Sequence, residues 1–309
     1  MRRASATDQR GFALLAVLLV LAMMGVLGAE FAYSMRLEAT AVRAYKDAIA
    51  AGHLAEAAVA QAMRELVSDW AFVVADEQGE LTFYSRERTP MPRPARQEVE
   101  LGPGRFSYRI RDEESLLNVN TVQPGRLEAL LDALGVQRAQ RDEIVDSIQD
   151  WRDPNEEHRL SGAETDDYYG KLPVPYRARN ANIESINELL QIRGITGALF
   201  HGADGQPGLG DAITVRTVGQ VNLNTATPLV LRALGLSEAE IITAIQTRRD
   251  TPYVSVPGPF AGRGLAVTTR TFRIVAEGIM NGRVAARVTA VVRKQSETDV
   301  VILEWSGVR

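Results

Sequence analysis

"QRGFALLAVLLVLAMMGVLGAEFAY", residues 9–33, places an apolar run almost at the start of a 309-residue chain. Residues 12–29 are 18 consecutive positions without a charge. At about 1.5 Å per residue, a helix of that length nearly crosses a hydrocarbon core of roughly 30 Å. Such a run serves as a disposable signal, as a permanent span, or as each at a different time. It exceeds the roughly 7–15 residue core of a cleaved secretory signal. Arg2, Arg3 and Arg10 precede it against Asp8 alone. That bias keeps the N-terminus in the cytoplasm and sends the remainder across. Leu27-Gly28-Ala29 offers the small residues that signal peptidase uses, so on these features the disposable reading stays open.

The residues after the run argue for permanence. No proline occurs before Pro90, and Gly52 is the only glycine between Gly28 and Gly79. Residues 30–66 are rich in Ala, Leu, Met, Glu, Arg and Lys, all good helix formers. Leu37, Ala41, Ala44, Ala48, Ala51, Ala55, Val59, Ala62 and Leu66 recur at helical spacing. The pattern predicts one rod of about 55 residues, roughly 80 Å long. A cleaved signal has no reason to run in phase into such a rod.

The short basic leader, Arg10-Gly11-Phe12, and an apolar stretch merging into a long helix resemble the type IV pilins and pseudopilins. The resemblance implies that a prepilin peptidase cuts between Gly11 and Phe12 and methylates the new terminal amine. The run is then signal first and anchor afterwards. One departure is informative. The family carries a glutamate at the fifth mature position, where this chain has Ala16. A carboxylate in hydrocarbon is costly unless paired, and a chain without it cannot form the family's pair with a neighbour's terminal amine. That absence is typical of one pseudopilin family, the general secretion pathway protein K family of type II secretion.

Beyond the rod, residues 81–84 and 106–110 suit strands by residue type, with Pro90, Pro92 and Pro94 marking a loop between them. The C-terminal end is β again. Phe272, Ile274 and Ala276 alternate with polar residues, Asn281-Gly282 signals a two-residue hairpin, and Val284, Ala286, Val288, Ala290 and Val292 alternate with polar partners. Residues 300–305 read as a last strand.

Residues 118–251 have a helical texture and contain an internal repeat. "NVNTVQPGRLEALLDALGVQRAQRDEIVDSIQDWRD" begins at Asn118, and "NLNTATPLVLRALGLSEAEIITAIQTRRD" begins at Asn222. Both open Asn-x-Asn-Thr, read as N-cap chemistry. Both continue with a Leu-rich helix, a hinge at Gly135 or Gly235, and an Ile-rich helix. "IESINELLQIRGITGALF", from Ile183, is a looser third copy with its hinge at Gly194. "GPFAGRGLA", from Gly258, reads as a flexible connection.

The expected fold is α+β: a pilin-like long N-terminal helix packed on an antiparallel sheet, with a large inserted all-α domain whose ends lie close together. The expected division is a leader, 1–11; a transmembrane helix, 12–30; a pilin-like helix and first strands, 31–115; the helical insertion, 116–255; and strands completing the sheet, 256–309. The insertion, with "NVNT", "VNLNTA", "DWRDPNEEHRLSGAETDDYY" and "LPVPYRARNANIESINELLQIRGIT", also resembles the protein K family, so the likeness covers nearly the whole chain.

The densest carboxylate cluster lies on a loop broken by Pro154 and Ser161-Gly162. It offers Asp150, Asp153, Asn155, Glu157, Glu164, Asp166 and Asp167 as a pool of oxygen ligands. Calcium takes about 6–8 oxygens in irregular geometry. The residues alone also fit a solvated acidic loop. The resemblance favours structural calcium, because the family's helical domain is known for it.

The helix, hinge, helix units also resemble the helix-hairpin-helix modules that bind nucleic acid through hinge amides. Residues 112–200 hold 17 acidic against 9 basic residues, and the whole chain carries a formal charge of −4. Phosphate binding wants the opposite sign. A membrane-tethered module of that kind stands as the rival reading, to be decided by the charge around Gly135, Gly194 and Gly235. His53, His158 and His201 have no zinc-ligand spacing, and cysteine is absent. No serine elbow, cysteine nucleophile or phosphate loop occurs, so no enzyme is expected.

The resemblance implies a single-pass protein of the bacterial inner membrane with its bulk in the periplasm. Its implied partners are the other minor pseudopilins and the major pseudopilin, prepilin peptidase, and the exoprotein or secretin channel, with no nucleic acid. The implied role is a tip subunit that primes the pseudopilus for export of folded proteins.

Overall fold

A computed structural model describes residues 9–307. The leader lies outside the described residues except for the backbone of 9–11. The long rod is present as α1, Gln9–Leu66, one helix of 58 residues. Its apolar window has mean hydropathy 2.7 and is long enough to cross a membrane. The helix changes partners halfway. From Phe12 to Ala48 its residues are almost all exposed, whereas Ala51, Leu54, Ala55, Ala58, Val59, Ala62 and Leu66 are buried against a sheet. The predicted stripe is therefore real as a stripe, but Leu37, Ala41, Ala44 and Ala48 have nothing of this chain to cover them.

After α1 come β1 (Phe72–Ala75) and β2 (Leu81–Tyr84), a separate antiparallel pair. They are followed by β3 (Val99–Leu101) and β4 (Gly104–Asp112). The chain then builds the helical unit: β5 (Leu117–Asn118), α2 (Pro124–Ala133), α3 (Arg138–Arg152), α4 (Gly197–His201), β6 (Ile213–Thr214), β7 (Val221–Asn222), α5 (Pro228–Ala233), α6 (Glu238–Asp250) and β8 (Leu265–Ala266). It ends with β9 (Thr271–Met280), β10 (Arg283–Lys294) and β11 (Val300–Gly307).

The main sheet is antiparallel with order β11-β10-β9-β4-β3. Period-two alternation puts Tyr108, Ile110, Phe272, Ile274, Ala276, Val288, Ala290 and Val292 on the face that α1 covers. The small alanines of α1 let its backbone come close. At Gly278 a Cβ would sit 1.9 Å from the carbonyl oxygen of Ala51, so only glycine fits there. The predicted Asn281-Gly282 turn joins β9 to β10, and both residues have positive φ, 52° and 73°.

β4 and β9 are neighbours, and the last residue of one, Asp112, pairs with Phe272 of the other. The helical unit is the connection between them, so its two ends are adjacent. It has its own core, around Leu127, Leu131, Ile144, Ile148, Trp151, Val230 and Leu231. That core also takes in Phe260 and Leu265, and β8 pairs with β7. The unit thus runs past the boundary read at 255. Residues 258–266 are not the flexible connection expected, because Phe260 is buried and strand pairing fixes Leu265 and Ala266. The unit is also not purely helical. Two short parallel strand pairs hold it, and the third repeat copy is a 3₁₀ turn, Ile186–Gln191, before Gly194 and the five-residue α4.

Candidate functional site

The Asn-x-Asn-Thr runs do not cap helices. α2 begins at Pro124 after Gln123, and α5 is capped by Thr227. The asparagines instead tie turns. Asn118 Oδ1 accepts the Asn120 N–H at 2.8 Å, and Asn222 Oδ1 accepts the Asn224 N–H at 3.1 Å. The second asparagine of each run grips a distant backbone residue through both its amide groups. Asn120 accepts from Ile183 N–H at 2.8 Å and donates to its carbonyl at 2.9 Å. Asn224 does the same with Tyr253 at 2.8 and 3.0 Å.

One arginine from the second helix of each unit then meets the turn carbonyls. Arg152 donates to Val119 and Val122, and Arg248 to Leu223 and Ala226. Arg152 lies 17 residues after Gly135 and Arg248 lies 13 after Gly235. The difference is about one helical turn, so the two arginines share a face. The two units are thus the same device. They differ in the chain beyond the second helix. In the second unit Tyr253 comes three residues after Asp250, whereas in the first, residues 154–182 intervene before Ile183. That excursion is the acidic loop.

The loop is stapled to the first unit. Trp151 meets Tyr169 edge to face at 5.2 Å, the Arg193 guanidinium lies 4.7 Å from the Tyr168 ring, and the Tyr176 hydroxyl donates to Gln191 O at 2.7 Å. Asp150 is fully buried. Its carboxylate accepts from Arg159 Nη1 at 2.6 Å, from Arg159 N–H at 3.1 Å and from Ala163 N–H at 3.0 Å. Burial pushes its pKa up, and the Arg159 contacts and the Ala163 amide oppose this. Gly162 makes the approach possible, since a Cβ there would lie 1.8 Å from Asp150 Oδ2. Asp153 also binds Arg159, at 2.7 Å, and its other oxygen accepts from the Asn155 side-chain amide at 2.7 Å. Asn155 Oδ1 accepts the Glu157 N–H at 2.8 Å.

Glu164 is the outlier. It is buried, and neither carboxylate oxygen has a hydrogen-bond partner. Burial, then the charges of Asp150, Glu156 and Asp153, push its pKa up to about 7. Asp167 accepts the Glu164 N–H at 2.9 Å, while Glu157 and Asp166 are exposed. The fold therefore gathers Asp150, Asp153, Asn155 and Glu164, and leaves Glu157, Asp166 and Asp167 around them. Among the described residues no three His, Cys, Asp or Glu side chains form a ready-made metal centre. Arg159, which the sequence reading did not single out, bridges Asp150 and Asp153. His158 is exposed, with its pKa raised by its bond to Arg159 O and by nearby carboxylates.

Acidic partners interrupt the positive charge at the hinges. Gly135, Gly194 and Gly235 all have positive φ, Arg138 near Gly135 is exposed, and four other nearby arginines are matched. Arg141 pairs with Asp132, Arg193 with Glu143, Arg232 with Glu238 and Arg263 with Glu240. The hinge carbonyls of Gly194 and Gly235 are bound by Gln140 and Arg263. The nucleic-acid reading finds no support in this arrangement.

Residues 110–203, which hold the first unit, its acidic loop and the third copy, match the family model described as Type II secretion system (T2SS), protein K. The Escherichia coli (strain K12) protein named "Putative type II secretion system protein K" is 29% identical over 207 residues, 62% of this chain and 60% of that one. Type II secretion system protein K of Aeromonas hydrophila is 27% identical over 217 residues, 63% and 62% of the two chains. That of Pectobacterium carotovorum subsp. carotovorum is 30% identical over 112 residues, 31% and 34%. The chain thus spans about three-fifths of the length of the two longer matches. A chain of the GspK-GspI-GspJ complex from the enterotoxigenic Escherichia coli Type 2 Secretion System has the same fold, with a TM-score of 0.55 at 17% identity, covering 70% of this chain and 84% of that one. The long helix on an antiparallel sheet, the helical unit hung between two adjacent strands, and these likenesses agree: residues 110–203 match the protein K model, and the chain is similar to the type II secretion protein K relatives over about three-fifths of their length.

Proposed function

We propose that this chain is a non-enzymatic structural subunit at the tip of a pseudopilus, helping to prime its assembly for export of folded proteins. The observation that carries this reading is α1, half core and half uncovered. Residues 12–46 are exposed among the described residues, with large apolar side chains open from Phe12 to Tyr45. The first part suits lipid, and the part after residue 30 suits the helices of neighbouring subunits. The N-terminus lies in the cytoplasm, α1 spans the inner membrane, and the sheet and helical unit lie in the periplasm. Two further minor pseudopilins, like those in the related complex, pack beside α1, with the major pseudopilin below. The helical unit widens the chain and obstructs a subunit above it. The secretin or an exoprotein meets that outer end.

In this reading prepilin peptidase cuts between Gly11 and Phe12 and the new terminal amine is methylated. N-terminal mass analysis of the chain from membranes tests it. A mature start at Phe12 is expected, and a start at Glu30 would mean ordinary signal peptidase and remove the anchor.

The acidic loop fits a structural calcium ion by one observation above all, the buried and unpartnered oxygens of Glu164. Asp150, Asp153, Asn155 and Glu164 supply hard oxygen donors, which suit calcium and not zinc. Glu157, Asp166 and Asp167 stand on the rim. A bound ion would supply two positive charges to carboxylates that repel one another. Arg159, 41% exposed at its side chain, is free to turn outward and release Asp150 and Asp153.

A further inference from the structure

β4 leaves the sheet on three consecutive acids, Asp112-Glu113-Glu114, and all three are buried. Each faces a different part of the junction between sheet and helical unit. Glu113 is compensated, by Arg273 Nε at 2.6 Å and by the Thr214 hydroxyl. Asp112 and Glu114 are not, since among the described residues no cation pairs with either. Asp112 reaches into the helical unit, where its Oδ2 meets Asn222 Nδ2 at 2.8 Å and the Thr225 hydroxyl at 2.5 Å. Its Oδ1 accepts the Glu114 N–H at 2.8 Å. Glu114 Oε2 accepts the backbone N–H of Thr271 at 2.9 Å and of Arg270 at 3.4 Å.

Between the two carboxyls stands one hydroxyl. Thr269 Oγ1 lies 2.5 Å from Asp112 Oδ1 and 2.7 Å from Glu114 Oε2. A hydroxyl has one proton to donate. With both carboxyls ionised, one of these two contacts would set oxygen lone pairs against each other in a buried site. A second proton resolves it, carried by Asp112 and donated to Thr269, which donates in turn to Glu114. The backbone N–H groups of Thr271 and Arg270 already point at Glu114 Oε2, so the Thr269 hydroxyl joins them as a third donor there. We propose that Asp112 and Glu114 hold one proton between them through Thr269, and that this proton latches the helical unit to the pilin-like sheet.

Other charged groups at the junction are Arg111 on β4, His201 and Asp211 on the helical unit, Arg216 paired with Glu304, Arg293, whose Nε donates to the Thr271 hydroxyl at 3.4 Å, and Arg270, which offers its backbone. Two clefts of about 290 and 280 Å³ border Asp112 and share Arg111 and Asp211, giving solvent a route for proton exchange. Burial, then the charge of Glu114, push Asp112 up to about 7. An unfolded aspartate titrates near about 3.9. The folded value is the higher, so the latch is fully engaged below about pH 4. Its contribution is lost progressively as pH rises to about 7, with no further loss above that.

The test uses the full-length chain in detergent. Backbone amide exchange of the peptide holding Asn222 and Thr225, corrected for the chemical exchange rate, should show opening that rises toward tenfold per pH unit between about pH 4.5 and 6.5 and levels above 7. Asp112→Asn keeps the shape and cannot ionise, so this rise should vanish; its amide can donate to Thr269 only by giving up the bond from the Glu114 N–H. Infrared spectra should be taken on Glu164→Gln, which removes the other carboxyl raised to about 7; they should show a protonated carboxyl band persisting to pH 6 that adding Asp112→Asn removes. If Asp112→Asn fails to fold, the exchange profile and the fading of that band through pH 7 in Glu164→Gln decide alone. A flat exchange profile, a rise confined to the acidic loop, an unchanged slope in a folded Asp112→Asn, or no protonated band overturns the latch.

Discussion

Replacing Glu164 by glutamine separates the cost of its charge from the role that charge serves. The carboxyl is buried without a hydrogen-bond partner and its pKa stands at about 7, against about 4.3 in an unfolded chain. At roughly 1.4 kcal/mol per pKa unit, ionising it inside the fold costs on the order of 3–4 kcal/mol at pH 8. The folded pKa is the higher, so stability falls as pH rises from about 4 to about 7 and is then level. Glu164→Gln removes that fall. The amide still lacks partners, which returns about 1–3 kcal/mol of the gain. Without metal at pH 8 the net stabilisation should be about 1–2 kcal/mol, a rise of about 3–6 °C in Tm for the helical unit. With calcium the order should invert. The unmutated chain should gain about 2.7 kcal/mol at a hundredfold excess over Kd, and the variant should gain little. Calorimetry of the full chain in detergent, with chelator and with calcium at pH 5 and 8, reads all four corners. A lower Tm for Glu164→Gln without metal would refute the buried-charge reasoning. An intact calcium response in the variant would refute Glu164 as a ligand.

Two further substitutions test neighbouring parts of the account. Arg159→Ala should destabilise the metal-free chain, because Asp150 and Asp153 lose their cation, yet it should tighten calcium binding by titration calorimetry, since nothing then competes for those carboxylates. Gly278→Val should cost more than about 4 kcal/mol in denaturant unfolding, as its Cβ would sit 1.9 Å from Ala51 O and lift α1 off the sheet.

Much of the fold was legible because it rests on local pattern. The rod, the alternating strands, the Asn281-Gly282 turn and the paired repeats are all written in neighbouring residues. The use made of the repeats was not. Asn120 and Ile183 are 63 residues apart, Asn224 and Tyr253 are 29 apart, and the asparagines serve turns where helix caps were expected. The acidic loop could be found by its charge density, but Arg159 could not be singled out, since nothing local says which arginine folds back on Asp150. The run Asp112-Glu113-Glu114 was not singled out in the sequence. Its partners Thr214, Asn222, Thr225 and Thr269 lie 101 to 157 residues away, beyond any window in which spacing carries meaning.

In the proposed function the uncovered face of α1 is where neighbouring subunits pack, and the absence of cysteine allows a direct measurement of it. Single cysteines at Leu37 and Val42, both exposed on α1, and at Arg287, exposed on the sheet, would be oxidised in membranes that hold the other pseudopilins with cysteines on their own helices. The account predicts cross-links to another pseudopilin from Leu37 or Val42 and none from Arg287. Cross-linking from Arg287 alone, or none from α1 in membranes where the pseudopilus assembles, would contradict it.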